Sequence, residues 1–252
     1  VSILKKLVFP PRCVACRCLL PFDGEGGERA LCLDCRAEWE IEKLTRCPDC
    51  RRAMLDCRCM PDMIRNAGCA GLVRLVSYDP ARPEGAANRI THNIKRIKDS
   101  DAFDFLTAQL LMPIQKRLEE FELEITDMTV TFCPRRHSAR RKYGFDQSEQ
   151  LARRLATLGG AKFVALLERR HTIFDREQKR LTAAERLENT SRAVRLTRAG
   201  CQAAGERVIL LDDVVTTGAT FSACADLLRG AGVQLVIGAC LAVAVKKPRV
   251  KD

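Results

Sequence analysis

Apolar positions past Gly71 fall into two alternating rhythms. Short continuous runs, at Leu72 to Tyr78, Met128 to Phe132, Phe163 to Leu167, Val208 to Leu211 and Leu235 to Val243, have the length of buried strands. Between them the spacing becomes helical. Asn88 to Lys98 and Ala102 to Phe121 predict helices, the second with a kink at Pro113. Leu151, Leu155 and Leu158 mark the face of another, capped by Asp146-x-x-Glu149, and Phe221, Cys224, Ala225 and Leu228 mark one more. Thr182-x-x-Glu185 is a second capping box, placing Arg186 and Asn189 on the short helix it opens. Strands separated by helical crossovers predict an α/β fold with a mainly parallel sheet covered on both faces.

Residues before this point follow a different pattern. Cys13-x-x-Cys16, Cys32-x-x-Cys35, Cys47-x-x-Cys50 and Cys57-x-Cys59 are separated by short polar loops. A tetrahedral Zn²⁺ takes four soft ligands at about 2.3 Å, and a C-x-x-C turn presents two sulfurs to one ion. The simplest partition sets Cys13, Cys16, Cys32 and Cys35 on one ion and Cys47, Cys50, Cys57 and Cys59 on another, a double zinc ribbon. An interleaved partition stays open, the tight C-x-C departs from the usual spacing, and Cys18 reads as spare. Redox-active thiols are the weaker alternative, since no thioredoxin-like strand and helix lies nearby. Closed four-thiolate sites hold a fold and perform no chemistry. Two units are therefore expected, a ribbon over 1–66 and an α/β domain over 67–252.

Composition narrows the setting. A chain of 252 residues with fourteen cysteines could be a disulfide scaffold, but the close pairing and the lack of an export signal favour metal. No run approaches the ~20 apolar residues of a membrane helix, and Ile3 to Phe9 is short and carries Lys5 and Lys6. A soluble, cytoplasmic protein is expected, and the opening Val1 suggests that at least an initiating residue precedes it. Formal charge is +11. Eight thiolates around two Zn²⁺ ions would bring it to about +7, a basic surface still suited to nucleic acid or phosphorylated metabolites.

The densest chemistry lies in Val208-Ile-Leu-Leu-Asp-Asp-Val-Val-Thr-Thr-Gly-Ala-Thr220. A buried strand runs into two carboxylates and then a hydroxyl- and glycine-rich turn before a helix. In open α/β sheets ligands bind at such strand ends, where a helix start offers unpaired N–H groups to an anion. Asp212 and Asp213 can accept from vicinal sugar hydroxyls; Thr216, Thr217 and Thr220 can donate to phosphate, and Gly218 lets the backbone approach. An ordinary capped turn would explain Gly218 and one threonine but gives no reason for the adjacent carboxylates.

This stretch resembles the phosphoribosyl diphosphate (PRPP) signature of type I phosphoribosyltransferases. The cysteine pairs, Tyr143-Gly-Phe-Asp-Gln147, the Gln178…Arg186…Asn189 spacing and this cradle together occur in the order of the ComF family, competence-associated and phosphoribosyltransferase-like; the similarity spans roughly residues 9 to 245. The resemblance implies a PRPP site made by Asp212, Asp213, Val214, Thr216, Thr217, Gly218, Ala219 and Thr220, with Pro134, Arg135 and Arg136 as a pyrophosphate loop. Arg140, Arg141, Lys142, Gly144 and Phe145 would form a closing flap. Tyr143 and Asp146 depart from the commonest pattern, Arg-Gly-Phe-Asn-Gln. Residues Arg169-Arg170-His171 through Gln178, Leu181, Arg186 and Asn189 resemble a hood over the acceptor, and either Lys95 or Lys98 matches a family lysine. His171, His92 and His137 read as surface residues.

The activity so implied is Mg²⁺-dependent phosphoribosyl transfer to an unidentified acceptor with pyrophosphate release, Asp212, Asp213, Arg135 and Arg136 being catalytic. A second implied reading is single-stranded DNA binding for DNA uptake through the ribbon and basic loops, with PRPP as ligand or regulator and competence-machinery proteins as partners. Sparse aromatics, with only Trp39, Tyr78 and Tyr143 beside the phenylalanines, weaken a base-stacking groove. A third reading, a degenerate scaffold, is opposed by the intact acidic pair and Thr216-Thr217-Gly218.

Overall fold

A computed structural model describes residues 10–21, 29–170 and 193–245. The Thr182 capping box and the hood residues His171, Gln178, Leu181, Arg186 and Asn189 lie outside them.

The α/β expectation holds. Strands β1 (Gly71–Tyr78), β2 (Thr129–Phe132), β3 (Lys162–Phe163), β6 (Arg207–Val215) and β7 (Leu235–Ala244) form one sheet in the order β1-β7-β6-β2-β3, every pair parallel. Parallel strands need crossovers, and helices supply them on both faces. Helix α3 (Ala86–Asn93) and the long α4 (Ser100–Glu119) connect β1 to β2, and α6 (Gln147–Gly159) connects β2 to β3. These helices cover one face, where Phe103, Leu106, Leu110, Leu151 and Leu155 pack on Val130, Ile209 and Ile237. On the other face lie α2 (Asp62–Asn66) and α8 (Ala219–Gly230), with Ile64, Phe221, Cys224 and Leu228 against Leu72, Leu210 and Val236. Approach is closest at Gly238, where an added Cβ would fall 2.6 Å from Phe221 and 2.8 Å from Leu72.

Several boundaries differ from the expected ones. The first crossover helix stops at Asn93 rather than Lys98, because tight turns follow, with Arg96 N donating to Asn93 O and Asp99 N to Ile97 O. Helix α4 starts on the side chain of Asp99, which accepts from Ala102 N, and runs through Pro113. The single strand expected over Phe163 to Leu167 is split. After β3 the chain is drawn off the sheet, with Leu166 N donating to Thr131 Oγ1 at 3.1 Å, and β4 (Leu167–Arg169) pairs antiparallel with β5 (Val194–Leu196), which leads into the short α7 (Arg198–Cys201). Periodicity could not show this, since both pieces are apolar.

The cysteine region folds around two matching knuckles. Cys13 N donates to Cys18 O and Arg17 N to Cys13 O, both at 2.9 Å; Cys47 N donates to Arg52 O at 2.8 Å and Arg51 N to Cys47 O at 2.9 Å. Arg17 and Arg51 both take positive φ, 68° and 60°. Between the knuckles lies helix α1 (Leu33–Lys43), which the spacing of its polar residues did not announce. Its Trp39 is fully buried, and Val14, Leu20, Leu31 and Trp39 join the same apolar core as Ile90 and Phe103. The ribbon is thus packed onto the sheet domain, with Asn93 Nδ2 donating to Val14 O (2.7 Å) and Ala86 and Ala87 donating to Glu38 and Glu42.

Candidate functional site

Strand β6 extends beyond the apolar run, so Asp212 and Asp213 are strand residues, with Asp212 in register with Cys240 of β7. The two carboxylates are in side-chain contact with one another, and each meets a further partner of its own. Asp212 Oδ1 accepts from Ser148 Oγ at 3.0 Å and from Asp213 N at 2.9 Å. Asp213, 5% exposed, places Oδ2 3.2 Å from Lys95 Nζ, an ion pair in which that oxygen makes no aligned hydrogen bond. Burial, and then the charge of Asp213, push the Asp212 carboxyl well above the ordinary carboxylate range.

The turn follows directly. Thr216 and Thr217 are exposed, and Gly218 takes φ 87° as the residue before α8, a conformation glycine adopts without strain. Space also requires glycine there, since an added Cβ would lie 3.0 Å from Ile64 of α2. The first N–H groups of α8 are available to an anion except where Ala219 N reaches Thr217 Oγ1 at 3.4 Å. Val214 is buried, while Ala219 and Thr220 are half-buried in the turn's wall.

On the neighbouring strand, Cys133 N donates to Leu211 O, which sets the end of β2 beside the cradle. Pro134 is buried and Arg135 half-buried. The guanidinium of Arg135 donates to Lys95 O at 2.7 Å and to Phe145 O at 3.3 Å, and stacks 4.8 Å from the Tyr143 ring. Desolvation lowers its pKa, against the charges of Asp146 and Asp213. Arg135 therefore fixes the backbone of Lys95, whereas Arg136, exposed at the start of α5 (His137–Tyr143), is the arginine open to solvent.

The flap segment is helical in this structure. Arg140 Nη2 lies 3.7 Å from Glu149 Oε2, and Arg141 and Lys142 are exposed. Gly144 ends α5 with φ 77°, and Phe145 is buried edge-on against Phe103 at 6.0 Å, so it anchors the segment. Asp146 caps α6, accepting from Ser148 N, Glu149 N and, at 2.6 Å, Arg135 N; burial raises its pKa to about 6. Lys95, not the exposed Lys98, reaches the acidic pair. Ser148 was missed. Its one sequence signal is its place in the first turn after the Asp146 cap, which aims it at the neighbouring strand end. His137 Nε2 lies 3.0 Å from Arg169 O, away from the acidic pair's contacts, and His92 is exposed.

The thiols gather into two groups whose sulfurs lie within 4.8 Å of one another, Cys13, Cys16, Cys18 and Cys32, and Cys47, Cys50, Cys57 and Cys59. The second group matches the expected set. In the first, Cys18 joins, and Cys35 is in side-chain contact with Cys13, Cys16 and Cys32, giving five thiols for one ion. Separations of 3.7 Å for Cys16–Cys32 and 3.6 Å for Cys50–Cys57 suit Zn²⁺, since a tetrahedron with 2.3 Å bonds has edges of about 3.8 Å. Each group also receives an arginine from the sheet domain. Arg74 of β1, 7% exposed, donates to Cys57 Sγ at 2.7 Å and Cys47 Sγ at 3.2 Å; Arg89 reaches Cys35 Sγ at 3.5 Å and Glu38 at 2.6 Å.

Residues 142–252 match the family model for the phosphoribosyl transferase domain. The chain is 28% identical over 247 residues to DNA utilization protein YhgH of Escherichia coli (strain K12), covering 93% of this chain and 98% of that one. The ComF resemblance is borne out. Among solved structures, this phosphoribosyl transferase-like chain is similar to phosphoribosylpyrophosphate synthetase from Mycobacterium smegmatis, with 21% identity, 56% of this chain and 33% of that one covered, and a TM-score of 0.32. It spans a third of that enzyme. It is also similar to purine phosphoribosyltransferase from Pyrococcus horikoshii Ot3, with 15% identity, 57% and 80% coverage and a TM-score of 0.33. No described helix is long and apolar enough to cross a membrane.

Proposed function

We propose that the chain binds PRPP with Mg²⁺ and transfers its phosphoribosyl group to an acceptor, releasing pyrophosphate. The observation that carries this reading is the juxtaposition, at the carboxyl end of the central strand β6, of Asp212 and Asp213 with the open helix start at Thr216 to Gly218. The acidic pair would take the two ribose hydroxyls, and the threonines with the α8 N–H groups would take the 5-phosphate. Burying two adjacent carboxylates is costly, and a sugar bearing developing positive charge relieves that cost. Arg136 would meet the pyrophosphate, Arg135 acting through the backbone of Lys95. Lys95 would exchange Asp213 for ligand oxygen when the site fills.

Mg²⁺ suits the place, because hard carboxylate oxygens gather there and one of them, Asp213 Oδ2, lacks an aligned hydrogen bond. Bound there with pyrophosphate it would neutralise leaving-group charge. Zn²⁺ would be structural in both thiol groups, and 1–66 with 67–252 is the working division of the chain. Calorimetry with Mg²⁺-PRPP tests the cradle: the Asp212→Asn, Asp213→Asn pair should keep the fold and weaken binding at least about tenfold. Equal binding by the pair counts against the assignment.

A second reading, single-stranded DNA binding, draws on the relative's printed name and on exposed Arg136, Arg141 and Lys142 beside the cradle. Backbone contacts would make affinity fall steeply with salt. Competition between DNA and Mg²⁺-PRPP would indicate that both use this basic segment.

A further inference from the structure

The cradle opens on one side into a cavity of about 430 Å³ that the PRPP reading leaves without an occupant. Thr216 and Thr217 form one wall, and Asp212 and Asp213 do not line it. The opposite wall is Pro48, Asp49 and Cys59 of the second thiol group, and the floor is the carboxyl end of β1 and β7, with Arg74 and Ser77. The cavity therefore lies beyond the phosphate end of the cradle, away from the sugar-binding carboxylates. Its volume falls within the range of about 300–1,000 Å³ typical of ligand pockets, far more than one phosphate fills.

Arg74 in the floor is more than nine-tenths buried and turns its guanidinium to the thiols, Nη2 donating to Cys57 and Cys47, so it holds the ribbon wall in place beside the cavity. Asp49 on the far wall supplies an acceptor for hydroxyl or amine groups, and Val243 and Val245 supply apolar surface. Donors near the threonines and an acceptor by the ribbon suit a group attached through a phosphate and carrying its own hydrogen-bond donors.

We propose that the cradle accepts a ribose 5-phosphate esterified on its phosphate, a 5′-phosphodiester, with the esterifying group seated between the cradle turn and the second thiol group. The proposal rests on the sugar-phosphate reading of Asp212 to Thr220 and extends it on the phosphate side. The ribbon then becomes part of the binding site.

Ribose 5-phosphate and ADP-ribose are the probes, since both present a free ribose and only the second continues past the 5-phosphate. Calorimetry on the zinc-loaded full chain should show ADP-ribose binding at least about tenfold tighter. Ser77→Phe, filling the cavity from β1, should bring the two ligands within about twofold of each other while leaving ribose 5-phosphate unchanged. Val245→Phe fills from the residue that follows β7 and should repeat the result if Ser77→Phe lowers the Tm. ADP-ribose binding no tighter than ribose 5-phosphate, or a preference that both fillings leave intact, overturns the proposal and spares the cradle. Failure of both ligands to bind removes the cradle and the extension together.

Discussion

Two acidic constellations sit at the same end of the sheet, and they are finished to different degrees. In the second thiol group, Arg74 enters from β1 and gives hydrogen bonds to Cys57 and Cys47. Four sulfurs already stand within 4.8 Å of one another, so metal would complete them and leave no ligand position. In the cradle, Lys95 enters in a similar way from the loop after α3, yet it meets one oxygen of Asp213 without an aligned hydrogen bond, and Asp212 is held by a single hydroxyl and its neighbour's N–H. Buried polar groups that find partners stabilise a fold. Those left partly unsatisfied mark places where a ligand is expected.

Removing metal should break this comparison most severely. Stripping zinc with a chelator, or Cys57→Ser, leaves Arg74 buried without full compensation, a cost of about 3–5 kcal/mol. Urea denaturation with and without added zinc would measure it, and an unchanged midpoint would contradict a structural role for the ion. Arg74→Met should destabilise less than metal loss, because two thiolates lose a donor but keep the ion.

The cradle should behave oppositely. A carboxyl whose pKa is raised on folding binds more protons in the native state, so its contribution falls as pH rises from the ordinary carboxylate value through the raised one. Asp212→Asn should therefore leave stability near that of the parent at low pH and exceed it at neutral pH, with weaker PRPP binding. Denaturation midpoints across pH 4 to 8 would show the curves diverging; parallel curves would mean that Asp212 ionises freely. Asp146 carries the same sign, its contribution declining as pH rises from about 4 to about 6.

The smallest effects belong to the first thiol group. Arg89 and Glu38 are partly exposed, so Arg89→Met should cost only about 0–1 kcal/mol, and a loss matching that of Arg74→Met would erase the contrast between the two knuckles. Cys18→Ser should leave zinc stoichiometry at two. The knuckle equivalence supports this outcome, since Cys18 corresponds to Arg52, which is no thiol in the second copy. A fall to one ion per chain by metal analysis would make Cys18 a ligand in place of Cys35.

Much of the site was legible because its chemistry is local. The acidic pair, the threonines and Gly218 occupy consecutive positions, and a strand-to-helix turn brings consecutive residues to one place. Cys47 to Cys59 are equally close in the chain, so their grouping was readable. What Arg135 touches was not legible, because the carbonyls of Lys95 and Phe145 that accept from it come from the loop after α3 and from the far side of α5.

By itself the sequence determined the rhythm of strands and helices, the cradle turn and the soft-ligand pairs, each set by side chains within a few positions of one another. Only the tertiary structure decided that Lys95 rather than Lys98 faces Asp213, that Ser148 holds Asp212, and that Arg74 ties the ribbon to the sheet beside a cavity. Those contacts join elements tens of residues apart. Their geometry is fixed by how the crossovers and the ribbon pack on a shared core, which no local spacing encodes.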